Sequence, residues 1–379
     1  MNNYSEKGLL PAGLADMLPP TASAEASYTE ALMKVFTANG YLRVKPPLIE
    51  FEEHLLEGAG AALSSKMFRV MDPVSHRMMG IRTDITLQVA RVATTRMKQD
   101  PRPLRLSYAG QVLRVHGSQL RPERQFTQAG VELIGASEIA ADAELILLAS
   151  EALNALNIPD LSVDLTLPTL VPAICEELGV EEETAAKARL ALDQKDAAVL
   201  DDFGDTLSPI LMALLKAAGP AADAMRQLRA LNLPGRAAEQ IAELDRLVTL
   251  LTEASPDLVI TIDPGEFRGF EYQTGVSFTL FARNVRGELG RGGRYHLIDG
   301  EPATGFTLFM DSIMRAAPRS KGPKRLYLPF GTSMETGAQY RAEGWITVRG
   351  LAKAASDSEE AKRLGCSHVV NSGDVTEVA

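Results

Sequence analysis

The sequence predicts an α+β protein in which strands from two separated parts of the chain form one antiparallel sheet flanked by helices. Alternating or β-branched patterns over Gln125–Ile134, 161–167 and 274–282 are typical of partly buried strands. Between the last two, residues 169–255 are rich in Ala and Leu with charged spacers, which indicates a helical insertion. Residues 316–323 (AAPRSKGP) have the composition of a linker and precede a short tail.

The length of 379 residues is more than one core usually serves, so we expect two or three domains. Residues 1–168 and 256–316 form the predicted core, 169–255 the helical insertion, and 317–379 a small C-terminal α/β module. Apolar residues make up 45% and charged residues 23%, as in ordinary globular proteins.

The charge balance and the cysteine count narrow the functional classes. A net charge of −10 argues against a nucleic-acid partner, whose binding surface is normally basic. Cys175, Cys366 and the five histidines provide neither a disulfide framework nor a metal-ligand spacing. Glu6 and Pro11 interrupt the apolar run that a signal peptide needs, and no stretch of about 18 apolar residues occurs. We therefore expect a cytoplasmic protein with no membrane span, metal or cofactor.

Apolar spacing and local stop signals predict the elements of the first 168 residues. In order, they are a helix at 22–38, a strand at 41–45, a helix at 52–57, a hairpin at 66–82, a helix at 85–99, strands at 104–115 and 125–134, a helix at 137–156 and a strand at 161–167. Tyr28, Leu32 and Phe36 share one face of the first helix. Asp84 and Ser137 stand where two of the other helices need N-caps.

The second half of the chain begins with the insertion, where glycines and prolines punctuate four or five predicted helices. The remaining predicted elements are strands at 258–263 and 274–282, a glycine-rich turn at 287–295, a strand and a helix over 304–315, and two or three short strands around a helix at 356–364.

The strand at 125–134 carries the first candidate site. Side chains alternate along a strand, so Gln128, Gly130 and Glu132 share one face, while Ala129 and Val131 face the core. A strand glycine leaves room for a ligand or another backbone. An amide and a carboxylate on either side of it suit a small ligand with positive charge and hydrogen-bond donors. The alternative is an exposed polar face with a bulge at Gly130.

Three further stretches are candidates. Asp84 and Thr86, at a strand-to-helix junction, point outward to bind an ammonium group, or Asp84 simply caps the helix. Residues 268–275 (RGFEYQTG) place Arg268 where it can bind a ligand carboxylate, or they form a surface turn with an internal salt bridge. Residues 290–295 (GRGGRY) form an anion-binding turn or a tight turn beside a sheet, and they match neither a P-loop nor a dinucleotide fingerprint.

Taken together, these stretches resemble the catalytic core of class II aminoacyl-tRNA synthetases, specifically histidyl-tRNA synthetase. They occur in the family's order: 40–50 (GYLRVKPPLIE), 106–135 with Arg114 at the arginine of the second motif, 268–272 (RGFEY), 292–295 (GGRY) and 305–306. The first two are similar to class II motifs one and two, and the third is similar to the Arg-Gly-Leu-Asp-Tyr-Tyr histidine-binding segment. The last two lead into motif three. The resemblance covers about residues 8–316 and implies a class II synthetase-like fold.

The resemblance also implies a histidine pocket. Its members here are Asp84, at a glutamate that receives the α-amino group; Thr86 beside it; Gln128 at the amino-acid backbone; Glu132, which reads the imidazole; Arg268 near the carboxylate; and Tyr272, the first of two paired tyrosines. Gln273 replaces the second tyrosine, which leaves the imidazole contact from that side open.

Departures from the synthetase pattern affect the ATP site. Ser312 stands where motif three has the arginine that clamps ATP, and His116 replaces an acidic residue of motif two. Adenylate formation needs positive groups on the phosphates, so their loss costs orders of magnitude in rate. Arg114 is left for a residual phosphate or nucleotide contact. The family's C-terminal anticodon-binding domain is also missing, since the tail is too short to replace it.

Retained amino-acid recognition with weakened ATP and tRNA recognition resembles the regulatory subunits of ATP phosphoribosyltransferase, which are synthetase paralogues. This resemblance implies a non-catalytic protein that activates a short-form catalytic subunit in the first step of histidine biosynthesis. It further implies L-histidine as a feedback effector and dimers within a hetero-octamer. The alternatives are an active histidyl-tRNA synthetase or related amino acid ligase, and a tRNA-binding or stress-sensor module.

Overall fold

The computed structural model describes residues 8–57, 63–117, 121–233, 235–267, 273–318, 324–371 and 373–378. The chain divides into two compact units, Met1–Pro318 and Arg319–Ala379. Within the described ranges, no helix is long and apolar enough to cross a membrane. The same ranges contain no group of three His, Cys, Asp or Glu side chains placed to hold a metal ion.

The strands of the described residues fall into three sheets. They are β1 (Leu42–Arg43), β2 (Ile49–Phe51), β3 (Arg69–Met71), β4 (Met78–Ile81), β5 (Leu104–Leu113), β6 (Gln125–Ile134), β7 (Leu161–Thr166), β8 (Gly219–Pro220), β9 (Val259–Asp263), β10 (Gln273–Ala282), β11 (Gly290–His296), β12 (Pro302–Phe309), β13 (Arg325–Leu328), β14 (Ile346–Arg349), β15 (His368–Asn371) and β16 (Asp374–Glu377).

Helices flank these sheets. They are α1 (Thr21–Ala38), α2 (Glu52–Leu55), α3 (Thr86–Thr95), α4 (Ile139–Asn154), α5 (Leu170–Glu177), α6 (Glu182–Asp193), α7 (Ala197–Asp201), α8 (Gly204–Ala217), α9 (Ala221–Arg229), α10 (Gly235–Ala254), α11 (Met310–Ala316), α12 (Met334–Ala342) and α13 (Asp357–Arg363).

The larger unit is built on a nine-stranded sheet with the order β1-β5-β6-β12-β11-β10-β7-β9-β8. Most neighbours are antiparallel, and the parallel pairs are β1 with β5 and β7 with β9. Strands from before and after the insertion lie side by side, since β12 pairs with β6 and β10 pairs with β7. The predicted α+β class, with a mainly antiparallel sheet flanked by helices, is therefore confirmed. The parallel pairs make the sheet a mixed one.

One face of this sheet packs on α1 and α4 and buries the larger apolar core. Leu32 and Phe36 of α1 are fully buried, and the Phe36 ring meets Phe306 of β12 edge-on at 5.7 Å. Each such side chain contributes roughly 1.5–3 kcal/mol through apolar burial. The β6 residues Ala129 and Val131 belong to this core, as their alternation predicted.

The opposite face of the sheet carries α3. Val89 and Ala93, one turn apart on α3, are buried in a second apolar cluster together with Leu106 and Tyr108 of β5 and with Tyr295 of β11. This packing holds the start of α3 against the centre of the sheet. It therefore brings the residues around the α3 N-terminus to β6.

The insertion and the smaller unit are richer in elements than predicted. The insertion forms the six helices α5–α10 and the short strand β8, where four or five helices were predicted. The smaller unit has a four-stranded sheet of order β14-β13-β15-β16 with helices α12 and α13, so the prediction of two or three strands around one helix is wrong. Short parallel strands that are connected by helices are hard to recognise in a sequence, because each strand needs only a few apolar residues.

Two local predictions are also wrong. The stretch predicted as a glycine-rich turn contains β11, a strand in the middle of the large sheet. Its glycines allow close packing with neighbouring strands, because a Cβ on Gly292 would lie 2.6 Å from the Phe278 ring. Ser137 does not cap a helix: α4 begins after Glu138, and no side chain caps it.

Candidate functional site

Glu132 of β6 is fully buried beside a cavity between the α3 N-terminus and strands β10–β12. The Tyr108 hydroxyl donates to Glu132 Oε1 at 3.2 Å, and the Tyr295 hydroxyl donates to Oε2 at 2.8 Å. Each carboxyl oxygen is thus held by one tyrosine. The residues that line the cavity are Asp84, Thr86, Glu132, Gln273, Arg291, Gly292, Gly293, Tyr295, Gly305, Phe306, Thr307 and Phe309.

The proton affinity of Glu132 is unusual. Burial raises the pKa of its carboxyl to about 8, although hydrogen bonds from Tyr295, Thr86 and Tyr108 favour the charged form. The nearby negative charge of Asp84 acts in the same direction as burial. The carboxyl is therefore mostly protonated at neutral pH and can either donate or accept a hydrogen bond. A carboxyl perturbed in this way beside a cavity is typical of a functional site.

Asp84 and Gln128, from two of the predicted candidate stretches, contact each other. Gln128 Nε2 donates to Asp84 Oδ2 at 2.8 Å, and the Ile85 amide donates to Gln128 Oε1 at 3.2 Å. Asp84 Oδ1 accepts from the amide of Thr86 at 2.9 Å. Asp84 therefore satisfies an amide at the start of α3 and also lines the cavity, although the N-cap position itself is Ile85.

The space above Gly130 is filled by protein. A Cβ at this position would lie 2.5 Å from the Tyr108 hydroxyl, so the glycine makes room for that side chain and not for a ligand. β6 pairs with β5 and β12 without a register shift, and the Gln128–Glu132 face is buried. The alternative of an exposed polar face with a bulge is therefore wrong.

Three basic side chains lie close together, and one of them, Arg291, lines the cavity. Burial, followed by the nearby charges of Arg114 and Arg291, lowers the pKa of Lys66, so three basic side chains lie in one region. Arg114 is half-buried, stacks 5.0 Å from the centre of the Phe126 ring and donates to the Thr83 carbonyl at 3.4 Å. This region is where the sequence placed a residual phosphate contact.

Ser312, at the position of the missing motif-three arginine, lies beside an internal ion pair between Arg121 and Asp311. Arg121 Nε donates to Asp311 Oδ2 at 2.9 Å, and its guanidinium lies 3.8 Å from the centre of the Phe309 ring. Ser312 is fully buried, and its hydroxyl oxygen accepts from Arg315 at 3.0 Å. The charge of Arg121 is thus largely matched by a carboxylate of the protein.

The structure brings together Asp84, Thr86, Gln128 and Glu132, four of the six residues predicted to bind histidine. The other two, Arg268 and Tyr272, lie outside the described residues. Gln273 lines the cavity, and its amide nitrogen donates to the Gly292 carbonyl at 3.3 Å.

Sequence reasoning missed Tyr108, Thr307 and Tyr295 as members of the site. Tyr295 was noticed only as the end of a glycine-rich turn, and Tyr108 only as part of a strand. The sequence did contain a signal. Tyr108 and Glu132 each lie in a strand among apolar residues, and a buried hydroxyl or carboxyl group normally needs a hydrogen-bond partner.

Comparison with known proteins shows the family to which the chain belongs. Residues 13–313 match the family model described as histidyl-tRNA synthetase. An ATP phosphoribosyltransferase regulatory subunit of Paramagnetospirillum magneticum is 56% identical over 378 residues, covering 100% of both chains. A protein of the same name from Rhodospirillum centenum is 55% identical over 98% of this chain and 96% of that one. The chain belongs to this family of regulatory subunits.

A solved structure supports the fold assignment for the regulatory-subunit family. It is described as an ATP phosphoribosyltransferase regulatory subunit/histidyl-tRNA synthetase from Bacillus halodurans C, and it aligns with a TM-score of 0.81. The alignment covers 93% of this chain and 96% of that chain at 24% identity. This chain therefore has a histidyl-tRNA synthetase-like fold, as the sequence predicted.

Proposed function

We propose that this chain is a non-catalytic, histidine-sensing subunit that activates a short-form catalytic subunit of ATP phosphoribosyltransferase. It also carries feedback inhibition by L-histidine in the first step of histidine biosynthesis, in the cytoplasm. The observation that carries the proposal is the buried Glu132, held by two tyrosines beside a cavity that Asp84 also lines. This arrangement supports amino-acid recognition, while Ser312 stands where a synthetase has the ATP-binding arginine of motif three.

The chemistry of the cavity suits histidine. The carboxylate of Asp84 and the hydroxyl of Thr86 line the cavity and suit an ammonium group, and the fully buried Glu132 suits a ring nitrogen. Gln128 fixes Asp84 through the hydrogen bond of its amide. Arg268 is proposed to bind the ligand carboxylate, in keeping with the sequence motif that contains it.

Activation chemistry is disfavoured by the internal pairing at the ATP end. A synthetase uses its free arginines to stabilise charge that develops on the phosphates. Here Arg121 binds Asp311, and Ser312 offers only a hydroxyl. Arg114 and Lys66 remain as basic groups, which suits residual phosphate binding better than adenylate formation.

The proposed assembly is a dimer of this chain within a hetero-octamer that includes the catalytic subunit. Exposed apolar side chains support self-association: Leu42 on the edge strand β1 is 61% exposed, and Met71 of β3 and Met78 of β4 are also exposed. An unpaired strand edge beside apolar surface favours burial against another protein.

Thermal unfolding with and without excess L-histidine tests the histidine pocket, and histidine-dependent ATP–pyrophosphate exchange tests the ligase alternative. A ligand at about 100 times its Kd adds roughly 2.7 kcal/mol to the free energy of unfolding, which shifts the Tm measurably. The proposal predicts a histidine-specific rise in Tm and no exchange. Rapid exchange by the chain alone would overturn it in favour of a synthetase.

A further inference from the structure

Tyr108 is the centre of a hydroxyl network under the cavity. Its ring is fully buried, and its hydroxyl lies 2.8 Å from Thr307 Oγ1, 3.1 Å from Thr86 Oγ1 and 3.2 Å from Glu132 Oε1. All three partners line the cavity, whereas Tyr108 does not. One hydroxyl therefore joins the α3 N-terminus, β6 and β12 at the site.

Strand register explains how Tyr108 reaches so far. Tyr108 of β5 stands opposite Gly130 of β6, and Gly130 stands opposite Thr307 of β12. With no side chain between them, the tyrosine ring crosses β6 and meets Thr307 on the next strand but one. Any Cβ at Gly130 would collide with the hydroxyl.

Glycines opposite Glu132 likewise leave room for its carboxyl group. Glu132 of β6 stands opposite Gly305 of β12, which in turn stands opposite Gly293 of β11. A Cβ on Gly305 would overlap Glu132 Oε2, so the glycine lets the carboxyl lean across β12 towards Tyr295. The glycines at 130 and 305 thus allow Tyr108 and Tyr295 to reach Glu132 from opposite directions, and each tyrosine donates to one carboxyl oxygen.

We propose that Tyr108 is the positioning residue of the pocket: together with Tyr295 it fixes Glu132 so that the carboxyl and the ligand side chain share one proton. A side chain that takes up and releases a proton near neutral pH, such as imidazole, satisfies this arrangement. An ammonium or an amide does not, because neither exchanges a proton with the carboxyl near neutral pH. The inference rests on the proposed function for the identity of the ligand and adds how the pocket selects it.

The groups that face Glu132 set the pH range of this pairing. Among the described residues they are Tyr108 from β5, Tyr295 from β11, and Thr86 and Asp84 at the start of α3. Empty, the site holds the proton on Glu132 up to a pKa of about 8, and a free imidazole is neutral above about pH 6.5. The complex holds one proton in total. Binding therefore takes up or releases no proton between these limits.

Outside this pH range, histidine binding is coupled to the release of a proton at low pH and to the uptake of a proton at high pH. Below about pH 6.5 both partners carry a proton and one must leave, so affinity falls as the pH falls. Above about pH 8 neither partner carries it, so affinity falls as the pH rises. Each limb approaches a tenfold loss of affinity per pH unit.

Calorimetric titration of the full chain with L-histidine from pH 5.5 to 9 tests the inference. Wild type should give a plateau with two falling limbs, with L-lysine and L-glutamine as ligand controls that bind far more weakly. Tyr108→Phe removes a donor to the charged carboxyl, so histidine affinity should fall roughly 10- to 100-fold and the alkaline limb should move to higher pH. The ligand's own titrations are common to both proteins, so the difference between the profiles reports on Glu132.

The matched control is Tyr41→Phe. Tyr41 is a buried tyrosine that also donates to a glutamate, Glu144, at 2.8 Å, but it lies away from the cavity. This variant should keep the wild-type affinity and profile. Histidine binding by Tyr108→Phe with an unchanged pH profile would overturn the inference and leave the proposed function standing. Failure of wild type to bind histidine at any pH would overturn both.

Discussion

At the scale of the residue, the unusual group is a carboxyl that is costly to bury. Among the described residues, the hydrogen-bond partners of Glu132 are hydroxyl groups and none is a cation, and burial outweighs these hydrogen bonds in setting its pKa. A cationic partner would have kept the group charged and unable to donate a proton. The site therefore keeps a group that can give or take a proton, at a cost in stability.

That cost predicts a pH dependence of folding. The folded pKa of about 8 lies above the unfolded value of about 4.5, so the folded state holds the proton more tightly. The contribution of Glu132 to stability is greatest below about pH 4.5 and is lost as the pH rises towards 8. Between pH 5.5 and 8.5 the ligand-free protein should lose roughly 3 kcal/mol through this group. Urea unfolding at the two pH values measures it.

Glu132→Gln removes the titrating group and should flatten this pH dependence. The control is Glu144→Gln, because hydrogen bonding by Arg105 lowers the pKa of Glu144 and places its titration below the tested range. That variant should retain the wild-type trend. An equal loss of stability with pH in Glu132→Gln would contradict the assignment.

At the scale of the element, a helix and the sheet are joined by a buried ion pair. Asp142 of α4 accepts from Arg294 of β11 at 2.6 Å and from Thr304 of β12 at 3.0 Å. Arg294 also donates to the carbonyls of Ser137 and Glu138, just before α4. The contact fixes α4 on the face of the sheet opposite the cavity.

Removing one side of that pair should be costly. Asp142→Ala leaves Arg294 short of its carboxylate, and the expected loss is roughly 3 kcal/mol in the free energy of unfolding. Asp142→Ala combined with Arg294→Met removes both charges and should recover part of it. Asp245→Ala, in an exposed ion pair with Arg229, should leave stability almost unchanged. A neutral Asp142→Ala in urea unfolding would contradict the account.

Sequence reasoning reached the elements better than their contacts. Alternation located β6 and β10 closely, because each has one face in the apolar core. The strand β11 was not predicted because its glycines are typical of a turn, whereas in the structure they allow close packing between central strands. The Tyr108–Glu132 contact escaped because periodicity gives the face of a residue but not the register of the neighbouring strand. The strand and junction patterns made Glu132 and Asp84 candidates, but their separate roles came only from the family resemblance.

At the scale of the whole molecule, the described pocket residues all belong to the larger unit. The smaller unit has its own sheet and its own small apolar clusters around Tyr327 and Leu326. Charge also divides the chain: residues 319–379 carry 9 basic and 7 acidic side chains, while the remainder carries 30 and 42. Histidine recognition and the role of the tail are therefore separable questions.

A chain that ends at Pro318 should keep histidine binding. The cavity, its hydroxyl network and the Asp84–Gln128 contact are all built from residues before that point. Calorimetry should give an affinity within a few-fold of the full chain. A folded truncated chain that no longer binds histidine would contradict the placement of the complete pocket in the larger unit.

The central claim is that this chain senses histidine on behalf of a catalytic partner. Its most direct test is the rate of a reconstituted short-form ATP phosphoribosyltransferase complex, measured against L-histidine with wild type and with Glu132→Gln. A ligand shifts the partner only through different affinities for two states, so removal of the imidazole contact should abolish inhibition while activation remains. Stimulation by both proteins, with histidine inhibition only for wild type, is the predicted result. Equal inhibition through both proteins, or no stimulation by wild type, would contradict the account.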